Sequence, residues 1–389
     1  MSINKDKGLL PVGLSDVLAP DAAFEASILE KLLEKFAACG YDRVAPPLIE
    51  FEDSLLTGIG SGVADQTFRL MDPESQEMMG VRADMTPQIA RIATKRLSKA
   101  PRPLRLSYAG QVLRVRGSQL RPERQFTQVG AELIGPEKAA ADAEVIVLAA
   151  GALAELGIKD LSIDLGMPKL VDEVLGKTSS NPKSRGRLRQ ALDRKDVEAV
   201  ANLNDYLTKD VIQTLTSMLN ATGPASEALK NLAAISFTEK AETGRNLLTD
   251  VIYRVRKALP DLALTIDPIE NRGFEYHTGV TFTFFAKGVR GELGNGGRYT
   301  VNAGSDNSKE EAATGFTLFM DTVLRALPSP PTRRRIYIPA ETPLNVAAEL
   351  RADGWTTLAA LSPKENALAE ADRLGCVYIL KDNKIMKVS

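Results

Sequence analysis

Asp84, Arg114, Gln128, Glu132 and Arg272 are the side-chain types that a free amino acid needs around it. A zwitterion calls for an anion against its ammonium, a cation against its carboxylate and a matched polar partner for its side chain. The five stand in the stretches 81–86, 113–116, 125–132 and 272–279. Taken singly, each has a structural explanation that is the stronger one. Asp84 could be a carboxylate at a helix N-terminus, where the dipole favours it. Arg114 and Glu132 could pair across neighbouring strands. The single histidine, His277, rules out multi-histidine metal clusters and leaves no base for Ser-His-Asp chemistry elsewhere in the chain.

Two glycine-rich stretches invite a phosphate reading. Gly58-Ile59-Gly60-Ser61-Gly62 does not open a helix after a strand, so a flexible loop is expected there. Gly294-Asn295-Gly296-Gly297-Arg298-Tyr299 follows a strand signal and is either a tight turn or a close backbone approach to a ligand. Arg102, Arg105, Arg114, Arg116, Arg121 and Arg124 crowd one span. They form either a solvated loop or a patch for phosphate or an acidic surface.

The elements that must position these residues are legible from periodicity. Phe24, Ile28, Leu32 and Phe36 recur every four residues and predict a helix over 21–39, with Gly40 at its end. Residues 41–44 read as a short strand, 66–71 and 77–83 as a hairpin, and 85–97 as a helix. Residues 104–115 and 124–134 read as antiparallel strands, 137–156 as an Ala-rich helix, and 161–165 as a strand. Residues 167–260 show helical periodicity with few strand signals. Strands return at 263–266, 280–285 and 314–319. After the stiff Leu327-Pro328-Ser329-Pro330-Pro331, residues 335–380 alternate β-α-β-α-β.

Composition bounds the function. Lys plus Arg number 49 and Asp plus Glu 50, so the formal net charge is −1 and broad nucleic-acid binding has no electrostatic support. Cys39 and Cys376 match no zinc or redox spacing, which suits a reducing cytoplasm. Neither a secretory leader nor a membrane span is expected.

The order of segments resembles histidyl-tRNA synthetase, a class II aminoacyl-tRNA synthetase, along nearly the whole chain. Residues 11–18 look like its opening, and 40–50 like motif 1, the dimer-forming element. Tyr108-Ala109-Gly110-Gln111-Val112-Leu113-Arg114 with 124–128 looks like motif 2, and Gly296-Gly297-Arg298-Tyr299 like the family's Gly-Gly-Arg-Tyr turn. Arg272-Gly273-Phe274-Glu275-Tyr276-His277-Thr278-Gly279 is similar to its histidine-specific stretch. The resemblance implies an α+β fold: an antiparallel sheet flanked by helices (residues 1–166 and 262–328), a helical insertion (167–261) and a small C-terminal α/β module (332–389). It further implies a histidine site, with Asp84 at the α-amino group and Thr86 beside it. Arg114 and Gln128 would stand near the carboxylate, Glu132, Tyr276 and His277 on the imidazole side, and Arg272 where the family has its catalytic arginine.

The departures from that family point away from catalysis. Arg116 stands where motif 2 has the Glu that reads adenine. Phe319 and Thr322 stand where motif 3 has a space-giving Gly and a phosphate-clamping Arg. Loss of one such electrostatic contact removes ~3 kcal/mol of transition-state stabilisation. This pattern resembles the regulatory subunits of short-form ATP phosphoribosyltransferase. That resemblance implies a chain without catalysis, cofactor or metal, assembled with a separate catalytic subunit in the first step of histidine biosynthesis. Histidine would be its feedback effector, and motif 1 would form a homodimer within a larger hetero-oligomer. Binding of tRNA is not expected. The alternatives are an active histidyl-tRNA synthetase and an RNA-binding synthetase paralogue.

Overall fold

The computed structural model describes residues 9–176, 182–270, 276–301, 310–330, 333–363 and 366–388. Helix α1 (Asp21–Ala38) buries Ile28, Leu32, Leu33 and Phe36, the face that the four-residue spacing predicts. It ends at Gly40, whose φ of +85° is left-handed backbone that glycine adopts without Cβ strain. Tyr41 follows, buried, and donates its hydroxyl to Glu144 at 3.0 Å. Arg105 reaches the same carboxylate with Nε at 2.7 Å and Nη2 at 3.0 Å.

Along the chain come β1 (Asp42–Arg43), β2 (Ile49–Phe51), α2 (Glu52–Leu56), β3 (Phe68–Met71), β4 (Met78–Val81) and α3 (Thr86–Arg91). The long hairpin follows as β5 (Leu104–Leu113) and β6 (Gln125–Ile134), then α4 (Ala139–Glu155) and β7 (Leu161–Gly166). The next stretch holds α5 (Pro168–Leu175), α6 (Pro182–Asp193), α7 (Val197–Ala201), α8 (Lys209–Asn220), α9 (Ala225–Ala233) and α10 (Glu239–Ala258), interrupted by a two-residue β8 (Gly223–Pro224). Then come β9 (Ala263–Asp267), β10 (His277–Ala286), β11 (Gly294–Val301), β12 (Glu311–Phe319) and α11 (Met320–Ala326).

Nine strands form one sheet in the order β1-β5-β6-β12-β11-β10-β7-β9-β8, while β2, β4 and β3 form a small separate sheet. The large sheet is antiparallel except that β1 pairs with β5, and β7 with β9, in parallel. Long intervening segments supply the crossovers that parallel neighbours require. The Ala-rich α4 is buried on most of its sides, and its small side chains let it lie close to the sheet. One anchor there is ionic. Arg298 of β11, 6 % exposed, donates to Asp142 of α4 at 3.1 and 2.8 Å and to the carbonyls of Pro136 and Lys138.

Two local expectations are corrected, and a third holds with a change of winding. Residues 58–66 form a 3-10 helix and not a flexible loop; Ser61 and Thr67 hydroxyls cap its carbonyls. Residues 294–301 form the interior strand β11 and not a turn, because β10 and β12 satisfy its backbone on both sides. The predicted helix over 85–97 changes from α to π winding at Ile92–Arg96.

The chain divides into two compact units, residues 1–328 and 329–389. The second contains β13 (Arg335–Ile338), α12 (Leu344–Ala352), β14 (Thr356–Ala359), α13 (Ala367–Arg373), β15 (Tyr378–Lys381) and an additional hairpin strand β16 (Lys384–Lys387). Its sheet order is β14-β13-β15-β16, with the first three parallel. The apolar residues of α12 and α13 fall in separate clusters, one with Ile336 and Ile338, the other with Tyr337. Alternation along β13 thus points successive side chains to helices on opposite faces.

Candidate functional site

The floor of the site is built from adjacent strands. Glu132 on β6 is 1 % exposed and accepts the Tyr299 hydroxyl at 2.9 Å, with the Tyr108 hydroxyl at 3.3 Å. Tyr108 also lies 2.7 Å from the Thr317 hydroxyl and 3.4 Å from that of Thr86. Glu132 can occupy this position because its neighbour on β12 is Gly315; a Cβ there would fall 1.8 Å from Glu132 Oε2. Burial pushes the Glu132 carboxyl up to about 8, the charge of Asp84 adds to this, and the Tyr299 and Tyr108 hydrogen bonds oppose it. At neutral pH the group therefore holds a proton that a base could share.

Asp84 precedes α3 and is held from two sides. One oxygen accepts the Thr86 N–H at 2.9 Å and the other the Gln128 amide at 2.9 Å. Gln128, fully buried on β6, also accepts the Met85 N–H at 3.0 Å. It therefore braces Asp84 from beneath. Arg114 donates Nε to the Ala83 carbonyl at 3.3 Å and lies 5.0 Å from the Phe126 ring centre. Burial draws its pKa below the usual guanidinium value, and Asp84 opposes that shift. Tyr276 stacks on His277 at 4.1 Å and meets Tyr299 edge-on at 6.0 Å.

Two connected spaces result. An outer cavity of about 680 Å³ is bordered by Gln66, Asp84, Thr86, Arg114, Tyr276, Glu292, Asn295 and Phe319. An inner recess of about 30 Å³ shares Asp84, Thr86, Tyr276 and Asn295 with it and adds Glu132, His277, Tyr299 and Thr317. The recess has room for roughly one or two waters. Of the residues singled out from the sequence, Asp84, Thr86, Arg114, Glu132, Tyr276 and His277 line these spaces, and Gln128 supports one of them. Arg272 lies outside the described residues. The alternative pairing of Arg114 with Glu132 does not occur, because Glu132 is opposite Leu106 and engages the tyrosines.

The three nucleotide-side positions are also defined. Arg116 is exposed beside a pocket of about 280 Å³ that Asp65, Arg114, Arg121 and Glu123 share. Phe319 is 4 % exposed and packs edge-on to Phe126 at 6.0 Å. Thr322, buried in the first turn of α11, lies 3.4 Å from Arg121 Nη2 and 3.0 Å from Arg325 Nη2. The crowded arginines are therefore largely paired internally: Arg102 holds Glu311 at 2.8 and 2.9 Å, and Arg121 holds Asp321 at 3.1 Å. Sequence reasoning missed Tyr108, Tyr299 and Thr317 as site residues. The signal for Tyr108 and Glu132 lay in strand alternation, which needs the pairing register before it can bring two strands' polar residues together. Among the described residues, no group of three or more His, Cys, Asp or Glu could hold a metal, and no helix is long and apolar enough to cross a membrane.

The sheet with its carboxylate recess is the class II aminoacyl-tRNA synthetase type. A histidyl-tRNA synthetase family model matches residues 13–323. The chain is similar to a Bacillus halodurans structure described as an ATP phosphoribosyltransferase regulatory subunit/histidyl-tRNA synthetase. That match has TM-score 0.81 and 25% identity and covers 94% of this chain and 96% of the other. A histidyl-tRNA synthetase from Nostoc, at TM-score 0.77 and 18% identity over 97% and 92% of the two chains, shares the fold. An ATP phosphoribosyltransferase regulatory subunit from Paramagnetospirillum magneticum is 51% identical over 388 residues, 100% of both chains. One from Rhodospirillum centenum is 52% identical over 386 residues, 99% of this chain and 98% of the relative. The chain belongs to the family of ATP phosphoribosyltransferase regulatory subunits, built on the histidyl-tRNA synthetase fold.

Proposed function

We propose that this chain is a non-catalytic regulatory subunit that binds histidine in the recess and outer cavity and transmits its presence to a separate ATP phosphoribosyltransferase catalytic subunit. The observation that carries the reading is the contrast across one cavity. On one wall stand Asp84, for an ammonium, and the proton-bearing Glu132, for an imidazole. On the other stands Phe319, covered by Arg121, which also holds the buried Thr322, so the positions where the fold's synthetases grip a nucleotide are taken. A buried carboxyl that shares its proton with a ring nitrogen discriminates strongly, because a ligand lacking that nitrogen leaves a polar atom unpaired.

In this reading the core, 1–166 and 262–328, carries the effector site, with 167–261 as an insertion and 332–389 as an appended module. Arg114 serves the ligand carboxylate, and Tyr276 and His277 wall the ring. Arg272 is assigned to the site by resemblance alone. Neither cofactor, metal nor tRNA takes part, and the setting is the cytoplasm. A second copy of the chain covers the apolar side chains around the small sheet, where Leu48, Phe51, Met71 and Met78 are 47 %, 46 %, 58 % and 41 % exposed.

For histidine to regulate, it must favour one state of the assembly by ~1–3 kcal/mol. The test is co-purification with a short-form catalytic subunit, then product formation with and without histidine. Activity that depends on this chain and falls on adding histidine is expected. Histidine-dependent ATP–pyrophosphate exchange by the chain alone would instead mark it as a synthetase.

A further inference from the structure

We propose that Arg121, packed on the ring of Phe319 where that residue borders the outer cavity, covers a surface on which a base could stack, and that this side chain is what keeps nucleosides out. The inference deepens the reading above, that the cavity serves an amino acid and not a nucleotide.

A guanidinium is planar and delocalised, and it packs on an aromatic face much as a heteroaromatic base does. The Arg121 guanidinium carbon lies 3.8 Å from the Phe319 ring centre and 5.0 Å from that of Phe126. Phe319 itself borders the outer cavity. Arg121 is 7 % exposed, which is unusual for an arginine on a connecting segment. Its donors are engaged as well: Nε with Asp321 at 3.1 Å, Nη2 with Thr322 at 3.4 Å, and Nη1 near Glu292 at 3.9 Å. The segment that delivers it is folded on itself. Ser118 N–H donates to the Arg121 carbonyl at 2.6 Å, and the Ser118 hydroxyl accepts the Arg121 N–H at 3.0 Å. Beside it, Gly117 packs so closely that a Cβ would meet the Pro122 carbonyl at 2.3 Å. Stacking, ion pairing and backbone geometry therefore all hold one side chain over the Phe319 ring. Glu292 and Asn295 also border the outer cavity, and the Asn295 amide donates to Glu292 at 3.3 Å.

Adenosine is the probe, because it is uncharged. Removing Arg121 also removes a positive charge and would weaken any phosphate contact, so a gain in adenosine binding reports the opened surface alone. Equilibrium dialysis of the full chain compares wild type, Arg121→Ala and Asp321→Asn. The second variant keeps the arginine but releases its strongest anchor. Wild type should show no saturable uptake. Arg121→Ala should bind adenosine at least roughly 10-fold more tightly than wild type, and Asp321→Asn should fall between them. Thermal melts of all three establish folding; if Arg121→Ala does not fold, Asp321→Asn decides. Wild type binding adenosine as well as Arg121→Ala, or folded variants gaining nothing, overturns the proposal. Histidine titrations on the same wild-type sample separate the two ideas. Absence of histidine binding removes the effector reading, whereas the adenosine comparison still judges Arg121.

Discussion

Tyr299 on β11 gives its hydroxyl to Glu132 on β6 at 2.9 Å, across the intervening strand β12. The bond spans β12 at Gly315, where no side chain intervenes. Gly315→Ala would put a methyl group 1.8 Å from Glu132 Oε2 and push the carboxylate out of both tyrosine contacts. The expected outcome is a melting temperature several degrees lower, in keeping with ~1–3 kcal/mol for disrupting buried polar contacts, together with loss of histidine binding by calorimetry. Wild-type affinity in this variant would detach Glu132 from the site.

The same carboxyl makes stability depend on pH. Burial raises it to about 8, so the folded chain prefers it protonated. Its contribution is whole below the ordinary carboxylate pKa and is lost as pH climbs through 8. Urea unfolding of the ligand-free chain should show declining stability from pH 6 to 9, and Glu132→Gln should flatten that slope. Equal slopes in the two proteins would mean that Glu132 is ionised in the folded state at neutral pH.

Histidine affinity should follow a plateau with two falling sides. A free imidazole titrates near ~6.5, and Glu132 near 8 in the empty site. A bound ring and Glu132 that share one proton need no net exchange between those values. Below them a proton must leave, and above them one must be taken up. Affinity that rises or falls steadily through this window would show that the ring does not meet Glu132.

Asp84→Ala removes the proposed ammonium partner and leaves the buried Gln128 amide without its acceptor. Loss of a charge-assisted hydrogen bond of ~1.5–3 kcal/mol predicts an affinity lower by about 10- to 100-fold. Unchanged affinity by calorimetry would count heavily against the assignment.

Thr322→Arg should not restore pyrophosphate exchange. Position 322 is buried, and its hydroxyl lies 3.4 Å from Arg121 and 3.0 Å from Arg325. A third guanidinium there meets like charge and little space, so the melting temperature should also fall. Exchange activity in this single variant would show that Arg121, packed on Phe319, does not block a nucleotide.

How much of this was legible in the sequence differs by element. Helix α1 and the β5–β6 pair were, because a continuous apolar face or alternation is a local property. Strand β11 was not: Gly294, Gly296 and Gly297 spell a turn locally, and only the neighbours on both sides make it a strand. Cβ atoms on Gly296 and Gly297 would approach within 2.1 Å of the Gly315 carbonyl and 2.6 Å of the His277 ring. In the site, residue types singled out Asp84, Gln128 and Glu132, whereas the tyrosines that hold Glu132, Tyr108 and Tyr299, became visible only through register. Arg121 looked like one of a cluster of solvated cations, and its burial follows from Asp321 and Phe319, 200 residues or so further along the chain.

Tyr299 and Glu132 lie 167 positions apart, and the other recess side chains come from segments spread between Asp84 and Thr317. No fragment ending before β11 can assemble the recess. A small molecule that grips it is thus a witness to the completed sheet, and saturating amounts should raise the melting temperature of the intact core while leaving truncated pieces untouched.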